Sequence, residues 1–422
     1  MKTSIFRILI IICAVVWSLG ACATEAPKVK KHRTTRQKLH NKSAVTSQVT
    51  NSDKLLVMGN NDRFCVDKAN ELAFTLLKKQ SQAEPFKSFT FSPLSVGYAL
   101  AMTSNGACGA TLKEIEALVG PSAAANSFYG KCLASFAPLV EMSNFLAMNK
   151  SYPVNQEFIK SIEGVYNAQV SNLNFGTDEA TRQLNEWIKR QSGGEFDNII
   201  KQTNVNEIAY LINYMKFKAL WNGPFDQNLT YERDFTNDDG TITQVPMMFQ
   251  YFSELYYEDN KCQAVSKKYA GGRLRMLIVL PKDTKISNFL AAMNADEFNR
   301  IISGLEESGV VDLSLPRFST NCNLDVREML LDMMPTAFDE KADFSRLSKA
   351  HSYINRFTQD TKITVNESGT EASSVTVQSF LVKAMHPQFT ANHPFLYFVY
   401  NEDTNAILLA GQYCGNQACC SD

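Results

Sequence analysis

The chain has 422 residues, of which 45% are apolar and 20% charged. That balance excludes a disordered, collagen-like or coiled-coil protein, and the length supports a large core in one large or two medium domains. Basic and acidic side chains nearly cancel, 42 against 43, but they are unevenly placed. Residues 23–50 carry seven Lys/Arg and one acid, a balance of +6, whereas residues 51–422 carry 33 against 42, a balance of −9. An acidic body lacks the basic face that nucleic-acid binding requires.

Lys2 and Arg7 flank the start of an apolar run, Ile8 to Trp17. The run is too short for a spanning helix and fits the apolar region of a secretory signal. It ends in Leu19-Gly20-Ala21-Cys22, and small residues before a cysteine resemble the lipobox of bacterial lipoproteins. The resemblance implies cleavage before Cys22 and acylation of its thiol and amine. The competing reading is an ordinary signal peptide that happens to carry a cysteine. Residues 1–21 are therefore expected to be a signal peptide of the lipoprotein type. Residues 22–60 have few large apolar side chains and are expected to form a lipidated, basic, flexible tether. Acyl chains at ~0.8 kcal/mol per buried CH₂ would hold the protein to a membrane. The expected location is extracytoplasmic, on the bacterial membrane or cell surface. The cluster Lys28-Val29-Lys30-Lys31-His32-Arg33 suits anionic lipid or polysaccharide, or is a solvated spacer.

The body, residues 61–422, begins with helical spacing over 64–79, where Phe64, Val66, Ala69, Leu72, Ala73, Leu76 and Leu77 recur. A second helix starts at Thr177 or Asp178, places Leu184, Trp187 and Ile188 on one face, and stops at Gly193-Gly194. Strand patterns run over Leu274–Leu280, Val311–Leu315, Thr361–Val365 and Phe395–Tyr400. The last is joined to Ala406–Ala410 by Asn401-Glu402-Asp403-Thr404-Asn405, which predicts a hairpin. There is no strict βαβ alternation and no internal repeat, so an α+β body with mostly antiparallel sheets follows.

Chemistry-bearing motifs are sparse. There is no H-E-x-x-H, G-x-S-x-G or G-x-x-x-x-G-K, and only His351, His386 and His393 lie in the body. A Cys322–His351 pairing is the one hydrolase alternative, against a buried cysteine and a surface histidine. The acid pair Asp238-Asp239 sits in a turn-like context. Eight cysteines remain after Cys13 and Cys22, with no C-x-x-C pair, so neither zinc nor another metal is expected, nor any cofactor. Cys414 with Cys419 or Cys420 could close a small tail loop.

Residues 361–383 read TKITVNESGTEASSVTVQSFLVK. A strand pattern breaks at Asn366-Glu367-Ser368-Gly369 and gives way to small and β-branched residues with no proline. Alternate positions Thr370, Ala372, Ser374 and Thr376 are small enough to slide between two existing strands. A polar exit with a proline follows, Lys383-Ala384-Met385-His386-Pro387-Gln388. Periodicity alone reads a plain central strand followed by a loop.

Over about residues 64–415 the chain resembles the serpins, the serine protease inhibitor family. FSPLSVGYALAMTSNGACGATLKEI at 91–115 is similar to the family's shutter strand and following helix, which places Ser92 in the shutter. INYMKFKALWNGPF at 212–225 resembles the breach strand, with Asn213 in the shutter and Trp221 at the breach. VDLSLPRFS at 311–319, ESGTEASS at 367–374 and NHPFLYFVYNEDTNAILLAG at 392–411 match in the same order. The resemblance implies three β-sheets, eight or nine helices and an exposed reactive-centre loop at about 367–391. It implies no catalysis by this chain. A target serine endopeptidase, or a cysteine protease, would cut the loop and form an acyl-enzyme. The freed loop would then enter the central sheet and carry the protease with it. At ~3.3 Å per residue, about 14 inserted residues move the cut end roughly 45 Å.

The hinge implied is Glu367, Gly369, Thr370, Glu371, Ala372, Ser373 and Ser374, with Gly369 giving backbone freedom where the loop folds inward. Ser373, Ser374 and Val375 are mild departures that would slow insertion. Gln359 stands where many members carry a shutter histidine, so that network should differ. Counting from Glu367 and back from Asn392-His393-Pro394 places Lys383 before the scissile bond and Ala384 after it, with neighbouring bonds such as Ala384–Met385 as the alternative. A basic residue there suits a trypsin-like pocket holding a carboxylate. The expected partners are such proteases and, through the lipid, a membrane; no nucleic acid is expected, and the protein is expected to be a monomer. The alternative is a non-inhibitory member acting as a binding or chaperone module.

Overall fold

The computed structural model describes residues 6–16, 58–136, 139–252, 255–282, 285–307, 309–369 and 386–415. In chain order its first strands are β1 (Phe6–Val16), β2 (Phe89–Phe91), β3 (Val140–Asn149), β4 (Gln169–Leu173), β5 (Glu207–Phe217) and β6 (Tyr231–Thr236). Next come β7 (Ile242–Phe252), β8 (Leu255–Glu258), β9 (Cys262–Lys268), β10 (Leu274–Pro281), β11 (Glu306–Glu307) and β12 (Val311–Pro316). The last are β13 (Phe318–Asp325), β14 (Ser352–Val365), β15 (Gln388–Thr390), β16 (Phe395–Asn401) and β17 (Ile407–Tyr413). The helices are α1 (Asn60–Ala83), α2 (Pro93–Ser104), α3 (Gly109–Val119), α4 (Ser122–Ser135) and α5 (Gln156–Tyr166). They continue with α6 (Asp178–Gln191), α7 (Ile286–Ala292), α8 (Ala295–Ser303) and α9 (Val326–Leu330), so nine α-helices lie among the described residues.

Local chemistry accounts for most boundaries. Thr177 caps α6 by accepting from the Ala180 N–H, Asp178 and Glu179 fill its first turn, and Lys189 and Arg190 its last. The chain leaves that helix through Gly193 and Gly194, both at positive φ. Helix α1 is longer than its periodic stretch at both ends. The expected hairpin is present, β16 pairing antiparallel with β17 from Phe395 opposite Tyr413 to Tyr400 opposite Ile407. The strand expected over Thr361–Val365 begins nine residues earlier, at Ser352. Asn355, Arg356, Gln359 and Asp360 hide that strand from an apolar count, yet Gln359 and Asp360 are buried.

Three sheets form among the described residues. One has seven strands, β11-β8-β9-β10-β16-β17-β2, and one has four, β15-β12-β7-β6. The central sheet runs β13-β14-β1-β5-β3-β4. Alternate residues of β5 serve different cores. Leu211, Met215 and Phe217 join the main core, while Tyr210, Ile212 and Tyr214 pack with Leu184, Trp187 and Ile188 of α6. Trp187 of α6 stacks on Phe145 of β3, with ring centres 5.2 Å apart.

The apolar run near the N-terminus supplies the middle strand of the central sheet. β1 is parallel to both neighbours, pairing Phe6–Val15 with β14 and Arg7–Val16 with β5. Its neighbours are therefore parallel to each other. The outer pair β13–β14 is antiparallel, as is β3–β5.

Candidate functional site at the ends of the central sheet

β14 ends at Val365 and the chain turns at once. Asn366 and Gly369 exchange backbone hydrogen bonds, and the Asn366 side-chain oxygen accepts from the N–H groups of Ser368 and Gly369. This turn docks on the segment that follows β5. The Trp221 N–H donates to the Ser368 carbonyl at 2.9 Å, and the Phe225 N–H to the Glu367 carbonyl at 2.8 Å. The Trp221 indole N–H donates to the Asn366 carbonyl at 3.0 Å. Gly369 has φ +142°, and a Cβ there would lie 2.5 Å from the Ala219 carbonyl oxygen and from the Leu220 Cα. Only glycine fits that approach.

Glu367 is buried beside this turn. Its carboxylate accepts from the Thr230 hydroxyl at 2.8 Å and meets the half-exposed Arg317 guanidinium at 3.4 Å. Trp221 stacks on Tyr269 with ring centres 4.4 Å apart. The Lys267 ammonium lies over Trp221, Phe225 and Phe252, 4.8–5.4 Å from their centres, and donates to the Gly223 carbonyl and the Gln250 side chain. A fully buried cation is tolerable there because acceptors and ring faces surround it. Gln227, Pro246, Arg317, Ser319, Thr364 and Glu367 line a cleft at this end of the sheet.

The second constellation lies at mid-sheet. The Ser92 N–H donates to the Gln359 side-chain oxygen at 2.9 Å, and the Gln359 amide donates back to the Ser92 carbonyl at 3.0 Å. The Ser92 hydroxyl donates to the Leu408 carbonyl and accepts from the Ser95 N–H, capping α2. Gln359 thus makes a bidentate backbone contact. Asn213 is fully buried, but its amide donates to Asn144 at 2.7 Å, and Asn144 in turn donates to the Tyr166 carbonyl. Ile12 of β1 stands in register between Asn213 and Gln359. Asn213 and Gln359 therefore sit on opposite sides of an intervening strand. Next along β14, Asp360 is buried, which raises its carboxyl above the usual range against a 2.5 Å hydrogen bond from Asn323 and the charge of Arg356.

The structure therefore brings Glu367, Gly369 and Trp221 together, and Ser92 with Gln359. Sequence reasoning missed Thr230, Asn144, Tyr269 and Lys267, which lie far from their partners along the chain. Arg317 lies inside the VDLSLPRFS motif, but nothing local marks it as the partner of Glu367. Thr370, Glu371, Ala372, Ser373 and Ser374, the bond Lys383–Ala384, Cys22, Cys419 and Cys420 lie outside the described residues. Cys322 is buried in β13, opposite Thr361. His351 is exposed, with a ring nitrogen 2.6 Å from the Glu340 carbonyl oxygen. Cys414 is buried, which pushes its thiol up.

A six-stranded central sheet, a seven-stranded and a four-stranded sheet, packed with nine helices among the described residues, define an α+β protein. The family model for Serpin (serine protease inhibitor) matches residues 67–415, and the chain belongs to that family. An uncharacterized serpin-like protein of Thermococcus kodakarensis is 29% identical over 365 residues, covering 82% of this chain and 84% of its own length. The crystal structure of human thyroxine-binding globulin complexed with thyroxine is similar at 27% identity and TM-score 0.76, over 85% of this chain and all of that one. That of a thermophilic serpin, tengpin, in the native state shares the fold at TM-score 0.76 and 23% identity, over 86% of this chain and 96% of its own.

Proposed function

We propose that this protein is an irreversible suicide-substrate inhibitor of serine endopeptidases, cut after Lys383 by trypsin-like enzymes. The observation that carries the proposal is the exit from β14. The chain leaves it through Glu367–Gly369 at one end of the position bounded by β5 and β14. Those strands are parallel, so a segment folding back from Gly369 would run antiparallel to both, as a tight return requires. The alternate residues Thr370, Ala372, Ser374 and Thr376 are small enough to suit entry into a packed sheet. Insertion would carry the acyl-enzyme along before water releases it, which traps the protease. Serpins also include carriers, and the likeness to a globulin solved with thyroxine favours a binding module as the second reading. Cysteine proteases are a further target class for the same loop. We place the protein outside the cytoplasm, as a monomer anchored to a bacterial membrane through lipid on Cys22, with residues 22–60 as its tether.

The test is a gel after mixing the processed protein, which starts at Cys22, with a trypsin-like enzyme. A band at the summed mass that survives SDS is expected, with a released peptide starting at Ala384. Lys383→Ala should abolish the band for trypsin-like enzymes while the fold is kept. Cleavage without any such band would leave the binding module.

A further inference from the structure

β1 occupies the position that the proposed mechanism reserves for the loop. Its sequence FRILIIICAVV is a near-continuous apolar run, the composition of a parallel strand buried on both faces. Both of its edges are paired, to β14 and to β5, over ten residues each. Its last pairings, Val15 with Lys362 and Val16 with Phe217, lie close to the turn at Glu367–Gly369. An entering loop would meet β1 within its first few residues.

The walls of this slot do not match an apolar occupant. Asn213 Oδ1, Ser352 Oγ, Thr358 Oγ1, Asp360 Oδ2 and Thr361 Oγ1 are buried and have no hydrogen-bond partner among the described residues. Each belongs to β5 or β14 at a position registered to β1. Ile12 is opposite Asn213, Phe6 opposite Ser352, Ile11 opposite Thr358, Cys13 opposite Asp360 and Ala14 opposite Thr361. None of those five β1 residues carries a side-chain oxygen or nitrogen. The backbone ladder is paired on both edges, while these five wall atoms are left without partners, which is costly when buried. Such a slot holds β1 firmly through its main chain but is furnished for a strand bearing hydroxyls.

We propose that Phe6–Val16 of the unprocessed chain is an internal plug. It completes the central sheet, keeps the loop out and holds the precursor in a form unable to trap a protease until the N-terminal segment is removed. The proposal rests on the loop-insertion reading above. Its chemistry is that of a provisional strand: paired on both edges, apolar at the positions registered to five open polar atoms of its neighbours, and lying N-terminal to the expected cleavage before Cys22.

The test uses the full chain made without secretion and carrying Cys22→Ala, so that the N-terminus is kept. Hydrogen exchange of the 6–16 segment should be slowed about 1,000-fold or more against an unstructured peptide. Cutting the loop should leave the melting temperature of this chain unchanged. Ile10→Pro with Ile12→Pro removes two donors and strains a strand bonded on both edges, so the segment should leave the slot. In that chain 6–16 should exchange freely, and cutting the loop should now raise the melting temperature. Free exchange of 6–16 in the parent chain would overturn the plug, and this readout does not depend on the variant folding. Slow exchange in the parent, with no rise on cutting in the proline variant, would uphold the plug and sink loop insertion instead.

Discussion

Replacing Gly369 by alanine tests the turn on which the proposed mechanism starts. The new Cβ would meet the Ala219 carbonyl oxygen and the Leu220 Cα at 2.5 Å and the Trp221 nitrogen at 2.7 Å, all main-chain atoms that cannot swing aside. The least costly response is release of the turn from the segment after β5. Release breaks the hydrogen bonds from Trp221 N–H, Trp221 Nε1 and Phe225 N–H to the carbonyls of Ser368, Asn366 and Glu367. At about 0.5–1.5 kcal/mol net for each, the loss comes to about 1.5–4.5 kcal/mol. Gly194→Ala is the matched control, since Gly194 has φ +92° but a Cβ there would have nothing within 4 Å. Only backbone strain of about 1–2 kcal/mol applies there. Urea unfolding of the full chain measures both costs, and hydrogen exchange at Trp221 and Phe225 shows whether the turn has let go. Equal costs for the two substitutions, or protected Trp221 and Phe225 amides in Gly369→Ala, would refute the reasoning.

Gln359→Leu should destabilise the protein by about 2–4 kcal/mol in a urea melt, because it leaves the buried Ser92 N–H and carbonyl without their partner. The carboxyl of Asp360 is raised by burial, so the folded state holds its proton more tightly than the unfolded state. Stability from this group is present below the ordinary value of 3.8 and is lost as pH rises through the raised value. Asp360→Asn should therefore raise the melting temperature at neutral pH and flatten the decline above pH 4; an unchanged pH profile would contradict this. If the proposed trapping mechanism holds, Thr370→Arg should keep cleavage after Lys383 and lose the SDS-stable band, since an unpaired charge would have to enter the sheet. Processed protein made with lipoprotein machinery should partition into detergent, and Cys22→Ala should return it to the aqueous phase.

Features of short range were legible in the chain itself. Thr177, the acids after it and the glycines that end α6 act within a few residues, so periodicity and capping located that helix. The hairpin β16–β17 and the turn at Asn366–Gly369 were legible for the same reason. The resemblance supplied Ser92, Asn213 and Trp221, but their partners needed the assembled sheet. Asn213 meets Asn144 across 69 positions of chain, and Glu367 meets Thr230 across 137. No local pattern encodes such contacts, because the side chains gain their energies only once distant strands have excluded water from between them.

The run Ile8–Trp17 marks the sharpest division. By itself the sequence determined that this segment is apolar, short and preceded by basic residues, a composition that suits a membrane-targeting signal. The same composition suits a strand buried on both faces. An isolated strand cannot satisfy its own main chain, so nothing within the segment decides between the two. The pairing of the strand came only from the tertiary structure, because the ladder of hydrogen bonds on each edge of β1 is supplied by β5 and β14, two strands that are themselves brought together by the fold of the entire body.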